Sequence, residues 1–324
     1  MSYRVAIKLA DSYSKEKKGY LASSRIRGHW LAENWSQADD FFYPEEFPQY
    51  QDDFFNPENQ FKILKDYEVV IFNKTYEWRL AKMLKKNGQI VIVDFCDPDF
   101  LLSHSSEQRV ADCLKTLQYA DTAVVNGEAI KKELSKVYKG RIDIIPDRID
   151  LESCKPQKLK HNKELKNIVW YGYSENLRVL EPYLKQIINM GLYITIISDK
   201  FFENLFLIGC KYDPKERINF KFWHPESINK RIIKCDVVFV GKDKNPYLSK
   251  FKSDNRAELG YALGMPVAWD INDLKSFKDY NIRVSDAKEG QYNVRRFKDI
   301  RHSVYEYDQI IKILLWERRQ KCHL

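Results

Sequence analysis

Residues 252–256 read Lys-Ser-Asp-Asn-Arg, and Ala257–Leu263 continues as a helix-like run closed by Gly264. A helix N-terminus carries unpaired N–H groups and the positive end of the helix dipole, which suits a phosphate. Lys252 and Arg256 add full charges there, and Ser253 and Asn255 add donors. Asp254 fits an ordinary helix N-cap equally well. A second phosphate-compatible stretch is Tyr171-Gly172-Tyr173-Ser174, with Arg178 shortly after it. A glycine at a strand end admits close backbone approach to a ligand, and a plain turn is the competing reading. A third is Ser24-Arg25-Ile26-Arg27, where two arginines one residue apart suit a diphosphate or a phosphorylated acceptor, or else a solvated helix start. The fourth carries acid–base potential. Asp94, Asp97 and Asp99 lie within six residues, and carboxylates at a strand's end are costly unless paired, solvated or used. Asp97 is the first candidate for a catalytic base, with Asp94 and Asp99 behind it; Asp97-Pro98 also suits a turn. Lys74, in Asn73-Lys74-Thr75, is a candidate for donor or acceptor phosphate, or a lone surface lysine.

These residues need a scaffold that brings strand ends together. Short apolar strands are predicted at Tyr3–Leu9, Tyr67–Phe72, Gln89–Asp94, Asp121–Asn126 and Arg141–Ile145. Helices are predicted at Ser24–Trp35, Glu77–Lys86, Glu107–Tyr119 and Glu128–Tyr138, and Gly88 stops the second of them. Residues 10–23 read as a polar loop and residues 37–60 as irregular around one short strand. After a polar, Lys-rich stretch at 151–166 the alternation restarts. Strands follow at Asn167–Tyr171, Tyr193–Ser198, Asn219–Phe222, Val237–Val240 and Pro266–Trp269, with helices at Asn176–Met190, Glu226–Lys234, Asn255–Leu263 and Tyr305–Arg318. Strand–helix alternation of this kind builds parallel sheets through right-handed crossovers, with ligands beyond the carboxyl ends of the strands. The expected fold class is α/β, with two doubly wound Rossmann-like domains facing a cleft. The expected division is one domain at 1–150, a second at 151–304, and a terminal helix at 305–324 lying at or across the boundary.

The 324 residues are ample for two domains, and 44% hydrophobic with 31% charged residues excludes wholesale disorder. No apolar run approaches the length of about 18 that a membrane helix needs, and the first residues lack a signal-peptide pattern. The formal charge of +8 favours anionic partners without choosing among them. The six cysteines include no Cys-x-x-Cys pair and the six histidines no metal-ligand spacing, so reduced thiols, a cytoplasmic location and no protein-built metal site are expected.

Several segments resemble GT-B glycosyltransferases, the two-Rossmann-domain class. Ile144-Ile145-Pro146-Asp147-Arg148-Ile149-Asp150 is similar to the Ile-Pro-Asn-Gly-Val-Asp junction of that family. Asp121–Asn126 resembles the strand before it, Asp236–Val240 the family's Ala-Asp-Val-Phe-Val strand, and Leu263–Val267 its Gly-x-Pro-Val segment. The family's Glu-x7-Glu pair is absent or displaced: alignment on Gly264 puts Phe251 and Leu259 at its two positions, with Glu258 one residue away. Tyr173 stands where the family has an arginine after the loop glycine, and Arg178 can stand for a later lysine.

The resemblance implies a glycosyltransferase that uses a nucleotide-diphosphate sugar as substrate and needs no cofactor or metal. Gly172, Tyr173, Arg178, Lys252, Ser253, Asn255, Arg256 and Glu258 would hold the donor. Ser24, Arg25, Arg27 and Lys74 would hold acceptor or phosphate, and Asp97 or Asp94 would act as base. The acceptor could be a glycan, a lipid-linked sugar, or DNA carrying a hydroxymethylated base, as in phage-type enzymes. A non-catalytic sugar-nucleotide-binding protein is the reading from outside the enzyme class.

Overall fold

The computed structural model describes residues 3–9, 22–41, 56–200, 217–242 and 249–322. The loop expected at 10–23 lies almost wholly outside the described residues. The chain divides into two compact units: Met1–Arg148 with Lys250–Ser253 and Ile300–Leu324, and Ile149–Ser249 with Asp254–Asp299.

The first unit is built on a six-stranded sheet of β1 (Val5–Leu9), β2 (Ala38–Phe41), β3 (Val69–Asn73), β4 (Ile90–Phe95), β5 (Thr122–Val125) and β6 (Arg141–Ile144), in the order β2-β1-β3-β4-β5-β6. Every pairing is parallel, with Val69 opposite Ile90 and Ile92 opposite Thr122. Continuous burial of β1, β3 and β4 suits their mostly apolar sequences, because helices cover both faces of such sheets. These helices are α1 (residues 22–33, with a π-helical turn at Arg25–His29), α2 (Pro57–Leu64), α3 (Trp78–Lys86), α4 (Glu107–Leu117) and α5 (Glu128–Val137). On one face Val5, Ile7, Val69 and Ile92 pack with Leu31 and Trp35.

The second unit has a five-stranded parallel sheet of β7 (Asn167–Tyr171), β8 (Tyr193–Ser198), β9 (Ile218–Phe222), β10 (Val237–Phe239) and β11 (Val267–Ala268), ordered β11-β10-β7-β8-β9. Its helices are α6 (Glu181–Asn189), α7 (Pro225–Ile232), α8 (Asn255–Ala262), α9 (Ile271–Ser276) and α10 (Tyr280–Phe297). Trp170 sits in the middle of its core with Leu177, Leu184 and Phe239. Fully buried Arg283 of α10 donates to the carbonyls of Phe277 and Lys163, which fastens the Lys-rich stretch to this unit.

The last helix, α11 (Ile300–Cys322), belongs to the first unit. Tyr307, Ile310, Ile311 and Leu314 follow helical spacing and pack against the β1–β3–β4 face.

Local chemistry accounts for most boundaries. Gly88 (φ +87°) and Gly264 (φ +76°) take the left-handed conformation that ends α3 and α8. The structure differs from expectation in three places. Residues 57–64 form α2, started by Pro57 and by Asn56, whose side chain accepts from the Glu58 N–H at 3.0 Å. Helices α9 and α10 fill residues 271–297, where no element was expected. The helix expected at Asn176–Met190 is divided: Ser174–Val179 is a 3-10 helix, and α6 starts only at Glu181, next to Pro182.

Candidate functional site

At the carboxyl edge of the first sheet, the three clustered carboxylates have three different fates. Asp94 is the last residue but one of β4 and is fully buried. The Arg27 guanidinium, itself 4% exposed, donates to both Asp94 oxygens at 2.5–3.0 Å, to Asp147 at 2.8 Å and to the Ile145 carbonyl at 2.8 Å. Asn73 Nδ2 donates to Asp94 at 2.8 Å. Burial disfavours the Arg27 charge, but Asp94, Tyr307 and Asp147 outweigh it and hold its pKa well above the ordinary value. This corrects two expectations. Asp94 is not placed to act as a base, and Arg27 is not placed to bind phosphate, because each is used up in one buried network.

Asp99 is also consumed. It accepts from Arg109 Nη2 at 2.7 Å, Tyr76 Oη at 2.8 Å and Ser105 Oγ at 3.2 Å. Burial pushes its carboxyl up, but the Arg109 hydrogen bond and the charges of Lys74 and Arg109 prevail, and its pKa falls below the ordinary 3.8.

Asp97 remains. Its side chain is 32% exposed and accepts from the Lys74 ammonium, which is 22% exposed. Lys74 is the one non-glycine residue with a positive φ (55°) among the described residues. Its N–H donates to the Asp94 carbonyl at 3.1 Å and its own carbonyl accepts from Arg109 at 3.3 Å. Backbone strain held by such surroundings marks functional turns. Burial opposes the Lys74 charge, yet Cys96, Asp97 and the hydrogen bond to Asp97 raise its pKa. Cys96 is a buried thiol whose pKa burial pushes far up, which leaves it inert as a nucleophile.

The Ser24–Arg27 cradle is not assembled as expected. Ser24 is fully buried inside α1, and only Arg25 of the set lies partly at the surface, its guanidinium 5.2 Å from the Trp30 ring centre.

In the second unit, β7 ends at Tyr171 and the chain turns at Gly172. A Cβ on Gly172 would lie 3.2 Å from the Trp170 ring and 3.6 Å from Arg256 Cδ, so a glycine lets the turn close over both. Ser198 Oγ donates to the Gly172 carbonyl at 2.8 Å, and the Ser174 N–H donates to Asp199 at 2.7 Å. Arg256, in the first turn of α8, stacks over Trp170 at 5.5 Å, while Tyr171 Oη donates to the Arg256 carbonyl at 2.5 Å. The structure therefore joins Gly172 and Arg256, which stand 84 positions apart in the sequence. Tyr173 is partly exposed on the same turn, and Arg178 is exposed on the single 3-10 turn Ser174–Val179.

Lys252 and Ser253 are exposed and group with the first unit; Asn255 and Arg256 group with the second. Asp254 occupies the N-cap position of α8, but its side chain makes no capping hydrogen bond. Glu258 departs from the expected donor role: it is 6% exposed and takes the Lys298 ammonium at 2.6 Å. Lys298 ends α10, an element not read from the sequence, so nothing there signalled this partner. Among the described residues no group of three or more His, Cys, Asp or Glu could hold a metal ion, and no helix is long and apolar enough to cross a membrane.

No family model matches the chain, and no curated protein matches it in sequence. Solved structures do match in shape. The crystal structure of HepE from Anabaena in complex with UDP superposes with a TM-score of 0.68 at 10% identity, covering 96% of this chain and 99% of that one. A glycosyltransferase from Rickettsia africae superposes with a TM-score of 0.66 at 12% identity over 97% and 99% of the two chains. AviGT4, a glycosyltransferase involved in avilamycin A biosynthesis, gives 0.59 at 9% identity over 97% and 98%. Two doubly wound parallel sheets in one chain, together with these likenesses over nearly its whole length, show that this protein has the GT-B fold, divergent in sequence from the solved examples.

Proposed function

We propose that the protein is a glycosyltransferase that moves a sugar from a nucleoside-diphosphate sugar to a hydroxyl acceptor. The observation that carries this is the Gly172–Trp170–Arg256 arrangement: a glycine turn after the central strand of the second sheet, closed against an arginine in the first turn of a helix. Diphosphate oxygens would meet the guanidinium and the N-terminal N–H groups of α8 together. Charge grows on the departing diphosphate in such a transfer, and donors fixed beforehand stabilise it without reorganisation. Arg256 and Arg178 of the second unit supply that charge. The UDP bound in HepE makes a uridine nucleotide the first donor to test. In the first unit, Asp97 is the base, since it is the carboxylate of its cluster that is partly exposed. It would accept the proton of the attacking hydroxyl, while Lys74 orients it and meets an anionic group of donor or acceptor.

Calorimetry with UDP tests the donor half. Wild-type protein should bind UDP, and Arg256→Ala should weaken binding about ten- to hundredfold, as expected for one charge-assisted phosphate contact. An unchanged affinity would remove Arg256 from the site. The acceptor, whether glycan, lipid-linked sugar or modified DNA, is sorted by offering each with labelled donor. Binding of UDP with no transfer to water or to any acceptor would favour a sugar-nucleotide sensor.

A further inference from the structure

One short segment does something the proposed chemistry does not require. Residues Lys250–Ser253 lie in sequence between two stretches of the second unit, yet they group with the first. The anchor is Phe251. It is 4% exposed and sits in the cluster of Phe95, Phe100, Val125 and Leu134 in the first unit. Lys250 reinforces it, with Nζ 3.5 Å from Glu133 on α5 and 4.6 Å from the Phe251 ring centre.

The cluster that takes in Phe251 also holds residues that frame the Asp97 loop. Phe95 ends β4 just before Cys96 and Asp97, and Phe100 follows Asp99. Their rings meet edge-to-face at 5.7 Å. Tyr76, two residues after Lys74, stacks on Phe95 at 5.6 Å and holds Asp99 through its hydroxyl. Both turns that present Lys74 and Asp97 therefore rest on the aromatic cluster that takes in Phe251. Three residues beyond Phe251 the chain re-enters the second unit, and two residues later it reaches Arg256.

We propose that Phe251 is a positioning residue: its ring, buried in the hydrophobic cluster that also holds Phe95 and Phe100 on either side of Asp97, couples that loop to the segment Lys252–Arg256. Occupancy at Arg256 is then felt at residues 96–101 through four residues of chain and one buried ring. The functional part of this inference rests on the transferase reading; the anchoring part does not.

Amide hydrogen exchange on the full chain, with UDP as the probe, tests both. In wild type without ligand, residues 249–254 and 96–101 should exchange slowly, and UDP should slow both further. Phe251→Ala should speed exchange at both segments at least about tenfold while β1 and β7 keep their wild-type rates. It should also abolish the UDP effect at 96–101, with UDP still bound. Phe251→Leu keeps most of the apolar volume and should show the same pattern at smaller size. If Phe251→Ala does not fold, the Leu variant decides. Unchanged exchange at 96–101 in a folded variant, or a UDP effect there that survives Phe251→Ala, would overturn the coupling. Failure of wild type to bind UDP would instead count against the donor reading, and the ligand-free comparison would still judge the anchor.

Discussion

The two sheet edges solve the same placement problem with different materials. At the edge of the first unit, charge is locked against charge: Arg27 with Asp94 and Asp147, Arg109 with Asp99, Lys74 with Asp97. At the edge of the second unit, a glycine turn, an indole face and backbone carbonyls set the arrangement around Arg256. The first design makes position and stability inseparable. A buried ion is tolerated only with its partner, so removing one side leaves an uncompensated charge. The second design lets a side chain be changed with less effect on folding. Carboxylates near a presumed site are therefore poor guides to catalysis until their partners are known.

The comparison breaks most sharply at Asp94. Asp94→Ala should destabilise the first unit by about 3–5 kcal/mol, because Arg27 stays buried with only Asp147 and the Ile145 carbonyl as partners. Chemical denaturation should read this as an early transition, and replacing Arg27 and Asp94 together by apolar residues should recover much of the loss. Asp97→Asn should do the opposite. Its pair with Lys74 is partly exposed and contributes at most about 1 kcal/mol, so melting should hardly change, while turnover should fall roughly 10²–10⁴-fold. Near-normal transfer by that variant would leave Asp97 as a turn residue, since Asn also supports such turns. Arg256→Lys should weaken UDP binding by roughly tenfold or less: the charge stays, but the planar fork and its stacking on Trp170 are lost.

The smallest effect concerns acid. The folded pKa of Asp99 lies below its ordinary 3.8, so the stability it contributes is complete above that value and disappears as pH falls through the folded pKa. Asp286 in the second unit has the opposite sign, because burial raises its pKa and ionisation there costs stability. As pH falls below about 4, Asp99→Asn should flatten the acid loss measured by denaturation, whereas Asp286→Asn should not. Identical acid profiles for wild type and Asp99→Asn would remove the Arg109 pair from the stability account.

Much of the scaffold was legible because its signals are local. The runs Asn167–Tyr171 and Tyr193–Ser198 are apolar, β-branched and bounded by polar residues, and the strands fall on those limits. Helix α10 was not legible. Over its 18 residues only Arg283, Ala287 and Val294 are buried, so it lacks the apolar stripe that reveals a helix. The site was legible as a set of places but not as a set of roles. Arg27 and Asp94 are 67 residues apart, and Arg27 and Asp147 are 120 apart. No spacing rule reports pairing over such distances. Only folding β1, β4 and β6 into one sheet shows which of three aspartates keeps its charge toward solvent.

The most direct test of the central claim is to incubate the purified protein with a mixture of nucleoside-diphosphate sugars and candidate acceptors and to read the products by mass spectrometry. The account predicts release of one nucleoside diphosphate with a matching mass gain on one acceptor or on water, lost in Asp97→Asn and reduced in Arg256→Ala. Turnover that proceeds unchanged in both variants, or no product from any sugar nucleotide despite intact folding, would contradict it.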